Sequence, residues 1–394
     1  MTAGLRLGLE VLADNPGLLP ASGRLGLLLN QASVNNQLQL SCDVLAQVFP
    51  NRLQRLFSPQ HGFWSEQQAN MIESSDARYE PLGLPVCSLY SHTRRPPRQQ
   101  LQDLDLLLID LQDVGTRVYT FVWTMLECLR ACAEAAVPVC ILDRPNPLGG
   151  LVVEGPPIVA GFESFVGNAP VPMRHGLTMA ELALLFNREL HVGADVRYIP
   201  MQGWQRADLW PDLNREWVPP SPNMPRWETC FVYPGQVLLE GLSLSEGRGT
   251  TRPFEICGAP GLDPLRLLHF LNQQAAPGLQ CRPLKFRPTF DKFSGQVCDG
   301  LALHVQQPAL VRSFHWTLRL LQAVRQISPA SLRLLDPPYE YEYHRPPLDI
   351  LYGSAELRQA LTAETEFDNA RLQQLARVDE LAWFRRTADI LLYD

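Results

Sequence analysis

The sequence has no long apolar run, no basic patch and no ordered set of cysteines, and each absence excludes a class of protein. No stretch of the 394 residues approaches about twenty uninterrupted apolar residues, which argues against a transmembrane helix. The N-terminal segment carries Glu10 and Asp14 and contains no apolar core long enough for an export signal, so we expect a cytoplasmic protein. A net charge of −7 without runs of like charge argues against nucleic acid or a membrane surface as a partner.

The common cofactor motifs are missing as well. The nine cysteines contain no CxxC pair and several lie within apolar runs, which favours buried thiols over a disulfide framework or a zinc site. No G-x-G-x-x-G follows the first predicted strand, and no G-x-x-x-x-G-K-[ST] occurs anywhere. We therefore predict that the protein uses no metal and no organic cofactor.

Short apolar runs alternate with segments of helical spacing through the first half of the chain. The predicted strands are 24–30, 53–57, 104–110, 137–142 and 195–199, and the predicted helices are 38–48, 119–136 and 178–189. This alternation is typical of a Rossmann-like parallel sheet with helices on both sides. The prolines of 217–225 cannot continue a helix or a sheet, so we predict an α/β N-terminal domain at 1–227 and a smaller α+β C-terminal domain at 228–394.

Polar motifs follow the predicted strands at their carboxyl ends. These motifs are Asn30–Gln31, SPQHGF at 58–63, DLQDVGTRVY at 110–119 and DRPNPLGG at 143–150. Because the carboxyl ends of parallel strands lie at one edge of a sheet, we expect the four motifs to converge in a single crevice. The segment FSPQHGFWSEQQANMIE, which runs from Phe57 to Glu73, is predicted to form one wall of it, opposite the SEGRGTTRPFE loop of the second domain.

The motifs together resemble a known family. The order SPQHGF, GLPVCSLY, IDLQDVGTRVYT, LDRPNPLGG, RHGLT, WVPPSPNMP, SEGRGTTRPFE and PTFDKFSGQVC resembles that of the NamZ (YbbC-like) exo-β-N-acetylmuramidases, over nearly the whole chain. The resemblance implies a glycoside hydrolase that removes N-acetylmuramic acid from the non-reducing end of peptidoglycan fragments in a cleft between two domains, without a cofactor. Many members of the family read PEHG where this chain has Gln60, and a glutamine cannot act as a general acid.

Glycoside hydrolysis usually requires one carboxyl group that protonates the leaving oxygen and a second that acts as nucleophile or base. The catalytic candidates are Glu66 and Glu73 after the second strand, Asp113 after the third, Glu246 in the glycine-rich loop, and His61. The carboxylates can equally be surface residues or partners of nearby arginines. Asp113 can also cap the helix that follows it.

The substrate-binding candidates are amides, guanidinium groups, hydroxyls and an imidazole on the same loops. They are Gln60, Arg117, Tyr119, Arg144, Asn146, His175, Asn223, Arg248, Thr250 and Arg252. A cation is needed to bind the lactyl carboxylate of muramic acid, and Arg174 is a further candidate for this role beside the arginines just named. The structural alternatives are a turn at Asn223, packing at the helix start for Tyr119, and a hydrogen-bonding brace for His175.

Three functions are compatible with these patterns. The first is the exo-acting muramidase, and the second, suggested by Gln60, is a sugar- or peptidoglycan-fragment-binding protein that has lost or changed its hydrolytic activity. Turnover of a chromogenic β-N-acetylmuramide separates them. The third is a nucleotide-dependent enzyme on the Rossmann-like sheet, which the missing phosphate motif disfavours and which a thermal shift with nucleotides would reveal. The sequence does not indicate an oligomeric state.

Overall fold

The structure is a computed structural model that describes residues 4–69 and 71–394. Its strands are β1 (Leu25–Leu28), β2 (Leu53–Ser58), β3 (Ala77–Tyr79), β4 (Leu84–Ser88), β5 (Leu106–Ile109), β6 (Val139–Leu142), β7 (Val196–Ile199), β8 (Ile256–Ala259), β9 (Leu279–Phe286) and β10 (Cys298–Val305). Its helices are α1 (Gly8–Asp14), α2 (Ser41–Val48), α3 (Arg98–Leu101), α4 (Phe121–Ala135), α5 (Met179–Glu189), α6 (Trp227–Gln236), α7 (Pro264–Leu271), α8 (Ser313–Ile327), α9 (Pro347–Tyr352), α10 (Glu356–Thr362), α11 (Asn369–Ala376) and α12 (Glu380–Thr387).

The first half of the chain forms a seven-stranded sheet in the order β3-β4-β2-β1-β5-β6-β7. Its strands are parallel except for β3, which pairs antiparallel with β4 at the edge. The chain proceeds from β1 to one side of the sheet and from β5 to the other, so the switch point of the sheet lies between β1 and β5. The predicted α/β class is confirmed. The edge strand β3 was not predicted, because it is three residues long and only Tyr79 in it is buried.

The parallel strands are buried on both faces, which explains their continuous apolar sequences. Leu27 and Leu108 face a core formed with α1 and α2. Leu28 and Ile109, one residue further along the same strands, face the larger core that contains α4 and α5 and continues into the second half of the chain. The alternation of neighbouring residues between the two cores is the period of two that a strand imposes.

The second half of the chain contains a smaller antiparallel sheet in the order β8-β10-β9. The central strand β10 pairs with β9 along its whole length, from Cys298↔Phe286 to Val305↔Leu279, and with β8 around Leu301↔Cys257. Helices α6, α7 and α8 pack together beside this sheet. The predicted smaller domain of mixed helices and strands is therefore present.

Two local predictions are also confirmed. Thr178 caps α5: its Oγ1 accepts a hydrogen bond from the Glu181 backbone N–H at 3.4 Å, and the Glu181 carboxylate accepts one from the Thr178 N–H at 2.9 Å. All nine cysteines are unpaired thiols, and eight of them are buried. None of the helices in the described parts of the chain is both long and apolar enough to cross a bilayer.

The segment 217–225 lies across the carboxyl edge of the parallel sheet. Asn30 Nδ2 donates to the carbonyl oxygen of Pro220 at 2.8 Å, and Gln31 Nε2 donates to that of Pro219 at 2.9 Å. This segment divides the crevice at the switch point into two spaces. The four motifs therefore lie at one edge of the sheet, as predicted, but the crevice at that edge is divided into two spaces and is not single.

A close contact fixes the chain after α6 against α9. The turn Val237–Gly241 follows α6 directly and ends at a glycine. A Cβ atom at Gly241 would lie 2.6 Å from the backbone N of Leu348 in α9, so a larger residue there would separate the two elements. The contact holds Glu240 and the segment that precedes α9 on the same side of the molecule.

Candidate active site

A small polar cavity lies where the loops after β2 and β5 meet the segment 217–225, the end of α6 and the segment before α9. Its volume is about 30 Å³. Five of the residues predicted from the sequence line it: Gln60, His61, Tyr119, Asn223 and Arg248. These residues come from both halves of the chain.

Glu340 lines the same cavity and is buried, with 4% of its surface exposed. Its Oε1 accepts a hydrogen bond from Gln60 Nε2 at 3.3 Å, and its Oε2 lies 2.7 Å from the hydroxyl of Tyr90. Burial raises the pKa of Glu340 above the ordinary 4.5, and the neighbouring Glu240 carboxylate adds to the shift, while the hydrogen bonds from Tyr90 and Gln60 oppose it. Glu340 is therefore a carboxyl group that retains its proton to higher pH than an exposed glutamate.

Glu240 is the second carboxyl group in the cavity, and its surroundings have the opposite effect. Arg248 donates to Oε1 from Nε at 3.2 Å and from Nη2 at 2.8 Å, and the Tyr339 hydroxyl donates to Oε2 at 2.6 Å. Burial by itself would raise the pKa of Glu240, but the charge of Arg248 and the hydrogen bond from Tyr339 outweigh it and lower the pKa below 4.5. The cavity thus contains one carboxyl group disposed to be protonated and one disposed to be ionised.

Glu246 lies beside this pair but is held in an ion pair. Its Oε2 is 2.8 Å from Lys292 Nζ, and its Oε1 is 3.6 Å from Arg248 Nε. Burial raises the pKa of Glu246, and the positive charge of Lys292 counteracts the shift. Lys292 also donates to the carbonyls of Leu239 and Leu244, so Glu246 is anchored to the turn that carries Glu240.

His61 is a neutral hydrogen-bonding group in this structure. Its Nδ1 lies 2.6 Å from the carbonyl oxygen of Gln67, so Nδ1 carries the proton and Nε2 is left as an acceptor. Burial lowers the pKa of His61 to about 4. The residue has a φ angle of 72°, in the left-handed region that favours glycine.

Two polar atoms of cavity-lining residues have no hydrogen-bond partner within residues 4–69 and 71–394. They are the hydroxyl oxygen of Tyr119 and Oδ1 of Asn223. The amide nitrogen of Asn223 donates to the carbonyl oxygen of Gln68 at 2.8 Å, which ties the 217–225 segment to the loop after β2. A buried polar atom without a partner is costly, so both atoms are available for a ligand.

The predicted acids on the loop after β2 lie outside the cavity. Glu66 and Glu73 are both exposed to solvent. The Glu66 carboxylate lies over Gly62, where its oxygens would be 3.1 Å from an added Cβ atom.

Asp113 and His175 form a buried pair that does not line the cavity. Asp113 Oδ2 accepts from the Gly115 N–H at 2.7 Å and lies 3.3 Å from His175 Nε2. His175 Nδ1 accepts from the Leu177 N–H at 3.1 Å, which leaves the ring proton on the nitrogen that faces Asp113. The N-cap of α4 is Thr120, so Asp113 does not cap that helix.

Three of the predicted guanidinium groups are engaged by partners within the protein. Arg117 is buried and donates to the carbonyls of Pro156, Val171, Leu351 and Tyr352, which joins the two halves of the chain. Arg174 pairs with Glu154 at 3.2 Å. Arg252 pairs with Glu255 at 2.9 Å.

The remaining candidates lie in other places. Arg144 makes a bidentate contact with Asp110, at 2.5 and 2.9 Å, and faces a separate crevice of about 570 Å³ on the other side of the 217–225 segment. Asn146 is buried, with Nδ2 donating to the carbonyl of Leu177 at 3.0 Å. Thr250 lines a surface groove together with Arg252 and donates to the Gly247 carbonyl at 2.6 Å. No three His, Cys, Asp or Glu side chains of the described chain are grouped as metal ligands.

Sequence reasoning missed Glu240, Glu340 and Tyr339. Glu340 lies in the stretch PPYEYEYHRPP, where a carboxyl group alternates with tyrosines between two pairs of prolines. That pattern was a usable signal for a shaped loop. Glu340 and Tyr341 have φ angles of 45° and 66°, and consecutive left-handed residues other than glycine are characteristic of constrained functional loops.

Comparisons with known proteins cover the whole site. A sequence profile described as the N-terminal domain of the exo-β-N-acetylmuramidase NamZ matches residues 25–228, and the profile of its C-terminal domain matches residues 231–393. The peptidoglycan β-N-acetylmuramidase NamZ of Bacillus subtilis (strain 168) is 40% identical over 312 residues, which are 79% of this chain and 75% of that protein. A crystal structure of a DUF1343 family protein from Bacteroides fragilis superposes with a TM-score of 0.88 at 29% identity over 99% of both chains. A second DUF1343 family protein from the same organism gives a TM-score of 0.73 at 26% identity, over 100% of this chain and 99% of its own.

Proposed function

We infer the function from the premise that this chain belongs to the NamZ family of exo-β-N-acetylmuramidases. It is a glycoside hydrolase, and its substrate is a carbohydrate. We propose that it releases N-acetylmuramic acid from the non-reducing end of peptidoglycan fragments, and that Glu340 and Glu240 are its two catalytic carboxyl groups. The observation that carries this proposal is the hydrogen bond of 3.3 Å between Gln60 and Glu340, which puts a carboxyl group beside the position where many members of the family read PEHG.

In this mechanism Glu340 is the general acid. A proton donor must be protonated at the working pH, and the raised pKa of Glu340 favours that state. Glu340 donates its proton to the glycosidic oxygen as the bond from that oxygen to C1 breaks. The hydroxyl of Tyr90 can exchange donor and acceptor roles with a protonated carboxyl group, so it holds Glu340 in both protonation states.

Glu240 is the ionised partner. The transition state of glycoside hydrolysis carries positive charge on the sugar ring, and a buried carboxylate with a lowered pKa stabilises that charge. Water supplies the hydroxyl group at C1, and the proton that water loses restores the carboxyl pair to its starting state. Arg248 keeps Glu240 ionised and holds it in position through two hydrogen bonds.

Gln60 orients the acid in this mechanism. Its Nε2 also lies 3.0 Å from the Tyr90 hydroxyl, so Gln60, Tyr90 and Glu340 form a closed set of hydrogen bonds. The unpartnered atoms of Tyr119 and Asn223 are suited to a sugar hydroxyl and to the N–H of an N-acetyl group.

The substrate requires the cavity to open. A cavity of about 30 Å³ holds a water molecule. Pockets for small molecules usually measure roughly 300–1,000 Å³, so the loop that carries Gln60 to Gln68 or the segment before α9 must move when a sugar binds. The contacts that such a movement would break include those from Asn223 and Arg248 to the Gln68 carbonyl, at 2.8 and 3.4 Å.

Two further features belong to the proposal. Nine unpaired thiols suit a reducing compartment, so we propose that the enzyme acts on fragments in the cytoplasm. We also propose that the two domains that frame the cavity are residues 1–227 and 228–394.

The test is turnover by the purified protein of 4-nitrophenyl β-N-acetylmuramide and of the disaccharide of N-acetylmuramic acid and N-acetylglucosamine. We expect release of free N-acetylmuramic acid from both. Binding of the disaccharide without any release would instead identify a sugar-binding protein and overturn the proposed reaction.

A further inference from the structure

The substrate of the proposed reaction carries a charge that the related sugar N-acetylglucosamine lacks. Muramic acid has a lactyl carboxylate, and a site that selects it requires a cation. Arg248 lines the cavity, but its guanidinium group is already neutralised by Glu240 at 2.8 Å and by Glu246 at 3.6 Å. The selecting cation must therefore come from another residue, and this inference rests on the proposed function.

Arg94 is a guanidinium group beside the cavity, and its contacts within the described residues are with aromatic rings and a backbone carbonyl. Its central carbon lies 4.1 Å from the ring centre of Tyr90 and 4.2 Å from that of Tyr341, so the group lies in the corner formed by two tyrosine rings whose planes are inclined at 73°. Its Nη1 donates to the carbonyl of Ser91 at 2.7 Å. Its Nε is buried without a hydrogen-bond partner among residues 4–69 and 71–394.

The residues that contact Arg94 are directly connected to residues that line the cavity. The Tyr90 hydroxyl is bonded to both Gln60 and Glu340. Tyr341 follows Glu340 in the chain. Phe165, whose ring centre is 5.8 Å from the Arg94 guanidinium carbon, precedes Val166, which lines the cavity. Three separate segments thus bring Arg94 to the wall next to the proposed acid.

We propose that Arg94 binds the lactyl carboxylate of the substrate and so makes the enzyme selective for muramic acid over glucosamine. A guanidinium group offers parallel N–H donors that match a carboxylate, and the aromatic rings around it exclude water and strengthen the charge interaction. The two ring contacts and the hydrogen bond to the Ser91 carbonyl hold the group in place before the substrate binds, which lowers the entropic cost of binding. Arg94 is a specificity residue in this scheme and takes no part in bond breaking.

The experiment compares Arg94→Gln and Arg94→Lys with the intact protein on three nitrophenyl substrates. These are the β-N-acetylmuramide, the same compound with its lactyl carboxylate converted to an amide, and the β-N-acetylglucosaminide. Arg95→Gln is the matched control, because Arg95 is the adjacent residue but pairs with Glu127 and Glu134 on α4. Thermal unfolding of each variant reports whether the fold is retained.

We expect Arg94→Gln to lower kcat/KM for the muramide by about 10- to 100-fold, mainly through KM, since one charge-assisted contact is lost. The rates on the two uncharged substrates should not fall, Arg94→Lys should be intermediate, and Arg95→Gln should behave as the intact protein. An equal loss on all three substrates would identify Arg94 as a structural brace and overturn the proposal. An unchanged selectivity would overturn it as well.

Calorimetry separates this inference from the proposed reaction. If the intact protein releases no sugar, the proposed reaction is wrong, but the binding of free N-acetylmuramic acid and of N-acetylglucosamine can still be measured. If Arg94 binds the lactyl carboxylate, the intact protein should bind N-acetylmuramic acid more tightly than N-acetylglucosamine. The Arg94→Gln variant should bind the two sugars equally. Equal binding of the two sugars by the intact protein would contradict the role of Arg94 irrespective of catalysis.

Discussion

Exchanging the carboxyl group between positions 60 and 340 tests the proposed acid. Glu340→Gln keeps the size of the side chain and an oxygen that can accept from Tyr90, but it removes the transferable proton. Loss of a general acid costs roughly 10²- to 10⁴-fold in rate, which is about 3–5 kcal/mol of barrier. The effect should be large on the natural disaccharide and much smaller on the nitrophenyl glycoside, because nitrophenolate leaves without being protonated.

The reverse change, Gln60→Glu, then places a carboxyl group at the neighbouring position. In the intact protein Gln60 Nε2 lies 3.3 Å from Glu340 Oε1, so the two carboxyl groups of this single variant would share one proton. In the double variant, which combines Gln60→Glu with Glu340→Gln, the carboxyl group at position 60 would be the only one of the pair. We expect the double variant to be at least tenfold faster on the disaccharide than Glu340→Gln alone, because a general acid contributes about 10²- to 10⁴-fold.

Initial rates of sugar release from the disaccharide, measured for the four combinations, give the coupling between the two positions. Glu342→Gln is the control, because Glu342 is two residues away and pairs with Arg345 at 2.8 Å. Retention of the full rate on the disaccharide by Glu340→Gln would show that Glu340 is not the general acid. Loss of the same factor on both substrates would show the same, since the loss would then not concern protonation of the leaving group.

Three further predictions concern charge. Glu240→Gln should lower the rate on both substrates by at least a hundredfold, because it removes the ionised carboxylate and leaves Arg248 without its main partner; thermal unfolding checks that the fold is kept. The plot of kcat/KM against pH should be bell-shaped. The rate should fall at high pH because Glu340 loses its proton, at a pKa above the ordinary 4.5, and at low pH because Glu240 gains a proton, at a pKa below 4.5. Glu340→Gln should abolish the fall at high pH on the disaccharide. Burial raises the pKa of Asp143 from 3.8 to about 7, so the folded protein holds a proton that the unfolded chain releases, and stability falls as pH rises from about 4 to 7. Between urea titrations at pH 5 and pH 8, the free energy of unfolding should therefore fall by about 2–3 kcal/mol more for the intact protein than for Asp143→Asn.

The sequence predicted the sheet well because its strands are buried on both faces. The apolar runs at β1, β5 and β6 are continuous, and short continuous runs between regularly spaced helices are typical of buried parallel strands. Strands β3 and β4 gave no such signal, because β3 is three residues long with only Tyr79 buried and β4 begins with two residues that are not buried. The capping box at Thr178 was predictable since it depends only on residues three positions apart.

The candidate site was predicted in part, and the limit was long-range contact. Gln60, His61 and Tyr119 reach the cavity because they follow strands of one parallel sheet, which topology alone dictates. Glu340 is 280 residues from Gln60 in the chain, and its place beside it depends on how the segment before α9 packs. A pattern of neighbouring residues in the sequence cannot predict that contact.

Charge pairing was the other feature that sequence could not provide. Arg117 was a candidate for binding a carboxylate, but its terminal nitrogens donate to four backbone carbonyls. Arg94 was not a candidate, although its contacts within the described residues are with aromatic rings and a backbone carbonyl rather than with a carboxylate. Which arginine is available to a ligand depends on every other acceptor around it, and that is a property of the fold.

The most direct measurement of the central claim is the crystal structure of the Glu340→Gln variant with the muramic acid disaccharide bound. We predict that the side-chain amide at position 340 lies within about 2.6–3.2 Å of the glycosidic oxygen, with Glu240 facing the C1 atom of the muramic acid ring. A complex in which the glycosidic oxygen faces Glu66 or Glu73, or in which the sugar occupies the crevice beside Arg144, would contradict the account.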